Sequence, residues 1–112
     1  MMSNIFLQMI SGEVKVDFVY EDEQCIVIDD VNPQAPIHML VIPKKPIERL
    51  SEASPQDSVL LGHLLTVVRK VAKNRGLDSF RVAINDGVDA CQSVYQLHIH
   101  VMGGRGFAWP PG

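Results

Sequence analysis

The sequence predicts one α+β domain: an antiparallel sheet of about five strands, one long helix and a short N-terminal helix. Three observations predict it. Short apolar runs, each bounded by turn residues, recur along the chain. A helical stripe of Val59, Leu60, Leu64, Val67, Val68 and Val71 follows a capping sequence. Residues 96–102 alternate polar and apolar side chains, the period of a half-buried strand. A chain of 112 residues suits a single domain with one modest core, and no repeat or linker divides it.

The first element spans Ser3 to Gly12. Ile5, Phe6, Met9 and Ile10 form one helical stripe, with Ser3 placed to cap its start and Gly12 to stop it. Packing onto the core explains that stripe; Ile5, Phe6 and Met9 could also wall an apolar pocket. Val14 to Tyr20 and Cys25 to Asp30 then read as a hairpin around the acidic turn Glu21-Asp22-Glu23. Asp30 leaves the second strand, where it can bend the loop or accept hydrogen bonds from sugar hydroxyls. Ile37 to Pro43 is a third apolar strand stopped by proline, with His38 near its start. Lys44-Lys45-Pro46 reads as a solvated basic turn.

Ser54, Pro55 and Asp57 supply an N-cap, a first helical position and an acidic first turn for the long helix. Lys73 and Arg75 suit its C-terminal end, and Gly76 the residue after it. His63 on this helix reads as a partly exposed or interface side chain. Phe80 to Ile84 is the fourth strand. It enters the polar loop Asn85 to Ser93, which can offer N–H groups and the Ser93 hydroxyl to an anion.

The last strand contains Gln96-Leu97-His98-Ile99-His100-Val101-Met102. Alternation places Leu97, Ile99 and Val101 on one face and Gln96, His98 and His100 on the other. Two imidazoles then stand roughly 6–7 Å apart along one face. Gly103 and Gly104 end the strand. The lone tryptophan, Trp109, sits beside two prolines and reads as docked, a neighbouring subunit being one place for it.

Composition narrows the function classes. Hydrophobic residues are 46% and charged residues 21%, a globular balance. The net charge of −3 and the lack of a basic run argue against duplex nucleic acid, though a single nucleotide needs only local donors. Cys25 reads as a core thiol and Cys91 as a loop residue; neither belongs to a C-x-x-C pair. No segment approaches membrane-spanning length and the start lacks a signal pattern, so the expected location is cytoplasmic.

At residues 96–102 the chain resembles the histidine triad (HIT) superfamily, whose pattern is His-φ-His-φ-His-φ-φ with φ apolar, and within it the HINT-like nucleoside phosphoramidases. The likeness extends over nearly the whole chain, through Asp29-Asp30, Pro33 to Pro36, Val41 to Lys45, Leu60 to Leu64, Gln92 to Tyr95 and Gly103 to Arg105. Trp109-Pro110-Pro111-Gly112 is the most specific part of it.

The resemblance implies a HIT-like fold and a homodimer with one continuous sheet. It also implies hydrolysis of purine nucleoside monophosphate–X substrates, with X often an amine. A neutral imidazole attacks phosphorus readily, and water cleaves the phosphoryl-imidazole. By resemblance His98 is the nucleophile, His100 stabilises charge on a phosphate oxygen, and His38 supports both. Ser93 meets the phosphate or leaving group and Asn85 lies near the phosphate, and Cys91 and Gln92 of the same loop belong to the implied nucleotide-binding set. Ile5, Phe6, Met9, Ile28 and Val31 fall on the purine slot, Asp30 on the ribose, and Trp109 on the leaving-group side of the other subunit. No metal or cofactor is implied, and neither nucleic acid nor membrane is an expected partner.

Gln96 departs from the pattern, standing where the first triad histidine belongs. Its backbone carbonyl still serves to hold the nucleophile's Nδ1–H, so activity is expected to be retained, though lowered. Ala90 and Cys91 stand where glycines are common, and a positive φ at Cys91 would carry strain. Ile28 replaces a more usual aromatic. Two other readings stay open: a nucleotide-binding or protein-interaction module whose catalysis decayed at Gln96, and a zinc protein using His38, His98 and His100.

Overall fold

The computed structural model describes residues 4–112. Helix α1 (Ile5–Ser11) is followed by strands β1 (Tyr20–Glu21), β2 (Cys25–Asp29) and β3 (Ile37–Pro43). Helix α2 (Ser58–Asn74) and strands β4 (Phe80–Ala83) and β5 (Ile99–Gly103) complete the order. All pairings are antiparallel, in the order β1-β2-β3-β5-β4. No helix among the described residues is long and apolar enough to cross a membrane.

Period-two alternation sorts the central strands into two cores. Cys25 and Val27 of β2, Met39 and Val41 of β3, and Ile99 and Val101 of β5 pack with Leu64, Val67, Val68 and Val71 of α2. The opposite residues, Ile26 and Ile28 of β2 and Leu40 and Ile42 of β3, pack with Phe6 of α1. Strands β2 and β3 are therefore covered on both faces and read as continuous apolar runs. Full burial of each such side chain contributes roughly 1.5–3 kcal/mol. The short helix α1 covers only part of its face, and the imidazoles lie beside it.

Several sequence expectations need correction. Ser3 lies outside the described residues; Asn4 caps α1, its side chain accepting from the Leu7 N–H at 2.9 Å. The strand expected over Val14–Tyr20 shrinks to Tyr20–Glu21. Gly12 turns the chain at φ 88°, and the Val14 N–H bonds to Gln8 O at 3.1 Å, so the segment folds back on α1 before reaching the sheet. Ser54 caps a short 3-10 turn, Pro55–Asp57, and the α-helix proper starts at Ser58. Strand β4 ends at Ala83. The Lys44–Lys45 turn is ion-paired: Lys44 reaches Glu21 at 2.7 Å, and Lys45 binds the buried Asp57. Gln96 to His98 precede regular strand structure, because Leu97 N–H bonds to Ile47 O at 2.7 Å, outside the ladder.

Candidate active site

The β3–β5 register builds the site. Leu40 lies opposite His100 and His38 opposite Met102, so His38 and His100 are diagonal neighbours on one face. Their rings meet: His38 Nε2 and His100 Nδ1 are 2.9 Å apart. His98 lies next along the chain, its ring centroid 5.0 Å from that of His100. Phe6 of α1 packs against His98, edge to face, at 5.0 Å.

The hydrogen bonds assign the ring protons. The main-chain N–H of Gln34 donates to His38 Nδ1 at 2.9 Å, so that nitrogen is an acceptor. The His38 proton is then on Nε2, which faces His100 Nδ1 and, at 3.4 Å, the Asp30 carboxylate. His100 Nδ1 therefore accepts, and the proton of neutral His100 is on Nε2. That Nε2 is buried and has no partner among the described residues. His98 has the opposite form: its Nδ1–H donates to Gln96 O at 2.7 Å, which leaves an Nε2 lone pair free. The outcome is one nucleophilic nitrogen and one unspent donor on adjacent rings.

Burial favours the neutral form of both rings. It pushes His98 below the usual imidazole range, against the hydrogen bond to Gln96 O and the charge of Asp30. His100 falls to about 4, through burial first and then the neighbouring His98 and His38.

His98 and His100 line a cavity of about 280 Å³. Ile5, Phe6, Met9, Ile28, Val31, Leu40 and Val94 supply apolar lining, and Asp29, Asp30 and Ser93 the polar groups beside the imidazoles. Val31 stands almost fully exposed at the rim. Asp30 Oδ1 accepts from the Asn32 N–H, which fixes the carboxylate while leaving acceptor capacity toward the cavity. A larger open groove lies beyond the end of α1, lined by residues 9–12 and 14–18, but it holds no imidazole.

The expected site residues thus divide. Ile5, Phe6, Met9, Ile28, Asp30, Val31, Ser93, His98 and His100 share the cavity, with His38 behind His100. Gln96 does not share it: its side chain turns to donate to Pro43 O and Lys45 O, both at 2.9 Å. Gln92 is buried and braces the loop, accepting from Gly87 N–H and donating to Glu48 O and Val94 O. Asn85 is half-buried after β4, and Cys91 is exposed at φ 67°. Trp109 is 82% exposed beside Arg81, whose Nη2 donates to Ala108 O. Sequence reasoning missed Asp29, Leu40 and Val94. Leu40 was within reach, since it lies two residues past His38 and shares its face.

Among the described residues two groups bring three metal-ligating atoms within 4.8 Å: Asp30, His38 and His100, and, away from the cavity, Asp22, Cys25 and His63. His98 is in neither, its Nδ1 being held by Gln96 O. An ion in the first group would have to part the His38–His100 bond.

A family model described as "HIT domain" matches residues 11–107. An "uncharacterized HIT-like protein" of Synechocystis is 51% identical over 109 residues, 96% of each chain. The structure of a HIT family hydrolase from Legionella pneumophila superposes with a TM-score of 0.95 at 37% identity, covering 98% of this chain and 100% of that one. A zinc-bound histidine triad family protein from Mycobacterium smegmatis matches at a TM-score of 0.78 and 31% identity, over 92% of this chain and 76% of that one. With residues 11–107 matched by the family model and His38, His98 and His100 gathered on β3 and at the start of β5, the chain belongs to the HIT domain family.

Proposed function

We propose that the protein is a hydrolase of nucleoside monophosphate–X compounds, purine phosphoramidates above all, acting through a nucleotidyl-His98 intermediate. One observation carries this reading: a free lone pair on His98 Nε2 stands beside an unpartnered buried donor on His100 Nε2. A buried donor left without a partner costs roughly 1–3 kcal/mol. A phosphate oxygen would relieve that cost, and more strongly as it gains negative charge. The likeness to a HIT family hydrolase supports hydrolytic chemistry.

In this reading the purine lies between Ile5, Phe6 and Met9 on one side and Ile28 and Val31 on the other. Asp30 takes the ribose hydroxyls. His98 Nε2 attacks the α-phosphorus, the P–N bond to the amine breaks, and the amine leaves as it takes a proton from solvent water. Water then cleaves the nucleotidyl-imidazole, releasing the nucleoside monophosphate and regenerating His98. Ser93 faces the phosphate or leaving group. Asn85, Cys91 and Gln92 shape the loop behind it.

The dimer belongs to the same proposal. Strand β4 is a sheet edge, with Phe80 and Val82 partly exposed, and a wholly apolar groove lies between Leu50, Leu61, Leu65 and Ile84. A second copy pairing along β4 would continue the sheet and cover that groove. Trp109 of one protomer would then border the other's site.

The test is a panel of AMP and GMP joined to amines, phosphate and fluoride, run beside His98→Ala. Turnover of the amine-linked substrates is expected, and its loss in the variant. Gln96→His is expected to change the rate less than about tenfold, because the carbonyl that holds His98 is backbone. A parent that binds nucleotide without turnover favours the binding-module reading. Zinc co-purifying with untagged protein favours the metal reading.

A further inference from the structure

Arg105 lies outside the cavity, yet it grips the loop that feeds His38. Residue 34 is held from both sides. Its N–H donates to His38 Nδ1 at 2.9 Å, and its carbonyl accepts from Arg105 Nε at 3.0 Å. The guanidinium rests on the Phe107 ring at 4.1 Å, and its Nη1 donates to Gly106 O at 2.8 Å, so the fork is fixed. Gly104 brings the same segments together. It sits at φ 93°, and a Cβ there would come within 2.9 Å of Pro36. Strand β5 thus ends in a clamp on the loop that precedes β3.

We propose that Arg105 is a positioning residue: by fixing the Gln34 peptide against His38, it sets the ring tautomers that leave the buried, unpartnered His100 Nε2 protonated. The chain of causes is short. Neutral imidazole has one proton, and the two tautomers differ little in energy unless a partner selects one. The Gln34 N–H selects His38 Nε2–H. That proton faces two acceptors, His100 Nδ1 and Asp30 Oδ2, so it reinforces the choice. His100 then has its own proton on the far nitrogen. If residue 34 drifts, His38 is free to take the other tautomer, and its Nε2 then demands a proton from His100 Nδ1. The buried donor on His100 Nε2 disappears. His98 lies outside this relay, since Gln96 O holds its Nδ1–H.

The inference rests on the proposed role of His100 only for its catalytic consequence; the tautomers themselves are a property of the free protein. The test is long-range 1H–15N NMR on protein labelled at histidine nitrogens, where protonated and bare ring nitrogens resonate far apart. Wild-type His38 and His100 are expected to be protonated at Nε2, and His98 at Nδ1. Arg105→Met keeps an apolar stem on Phe107 but has no donor; His38 and His100 should then show mixed tautomers while His98 is unchanged. Arg105→Lys, which can donate to Gln34 O, should restore the wild-type pattern. With an amine-linked nucleotide, Arg105→Met should lose kcat by about tenfold, with KM altered less than about twofold. Protonation of wild-type His38 at Nδ1 overturns the proposal, as does an Arg105→Met spectrum identical to wild type. If the tautomers respond as stated while no phosphoramidate is turned over, the substrate reading fails and the relay stands.

Discussion

The turn between β1 and β2 and the face of β5 each gather a carboxylate and imidazole around the sheet, with opposite results. At the turn, Asp22 accepts four hydrogen bonds: Gln24 N–H, Cys25 N–H, Tyr20 O–H and His63 Nε2. Burial works against its charge, but those bonds hold its carboxyl well below the usual range. Burial pushes the adjacent Cys25 thiol up to about 12. Asp22 is fully partnered, and the cluster ties the hairpin to α2. At the start of β5 the same residue types leave the buried His100 Nε2 without a partner and His98 Nε2 free, and both residues line a cavity. A satisfied polar cluster is architecture, whereas an unsatisfied one beside a cavity is chemistry waiting for a partner.

Mutations break this contrast most sharply at the proposed nucleophile, His98. His98→Ala should lower phosphoramidate turnover by about 10⁴-fold or more, as removal of a covalent nucleophile does elsewhere. Steady-state assay with the folded variant, verified by circular dichroism, measures it. Next comes a crossed pair. His100→Leu should cost about 10²–10³ in kcat and less stability than His63→Leu, because the lost bond from His38 is partly offset by removal of a buried unpartnered donor. His63→Leu should do the reverse: unfolding free energy falls by roughly 1–3 kcal/mol and kcat stays as it was. Denaturant melts and turnover on both variants test the pair.

Acid sharpens the contrast on a smaller scale. His98 and His100 have folded-state pKa values below that of free imidazole, so the unfolded chain binds more protons between the two values. For His100 the stabilising contribution is complete above about pH 6.5 and is lost as pH falls towards about 4; for His98 the loss runs in the same direction. For His100 the whole effect is on the order of 3 kcal/mol. Melts from pH 7 to pH 4 should show that loss, reduced in His100→Leu. The smallest effect is expected at Cys91, held at φ 67°. Cys91→Gly should raise stability by about 1 kcal/mol by relieving left-handed strain, as a denaturant midpoint shift.

The sheet was legible because burial on two faces imposes a period of two. Leu97, Ile99 and Val101 turned to α2 as that period requires, and β3 spans Ile37–Pro43 as proline punctuation indicates. The imidazole face was legible for the same reason. What escaped was set by tertiary hydrogen bonding, which leaves no periodic trace. Gln96 followed the polar phase of the strand yet turned to the Pro43 and Lys45 carbonyls. Gln92 reads as a loop residue and serves as a buried brace. The Val14–Phe18 alternation was real, but a backbone bond to Gln8 drew that segment onto α1. The His38–His100 bond needs the β3–β5 register, which a single strand cannot reveal.

The proposed function, in which His98 attacks and His100 steadies charge, requires that phosphorus become bonded to a single nitrogen. The direct measurement is mass spectrometry of the protein quenched during reaction with a slowly hydrolysed adenosine phosphoramidate. One added nucleotidyl group on the peptide containing His98, absent from His98→Ala, is the predicted result. Substrate turnover with that peptide unmodified, or a nucleotidyl group found on another residue, would contradict it.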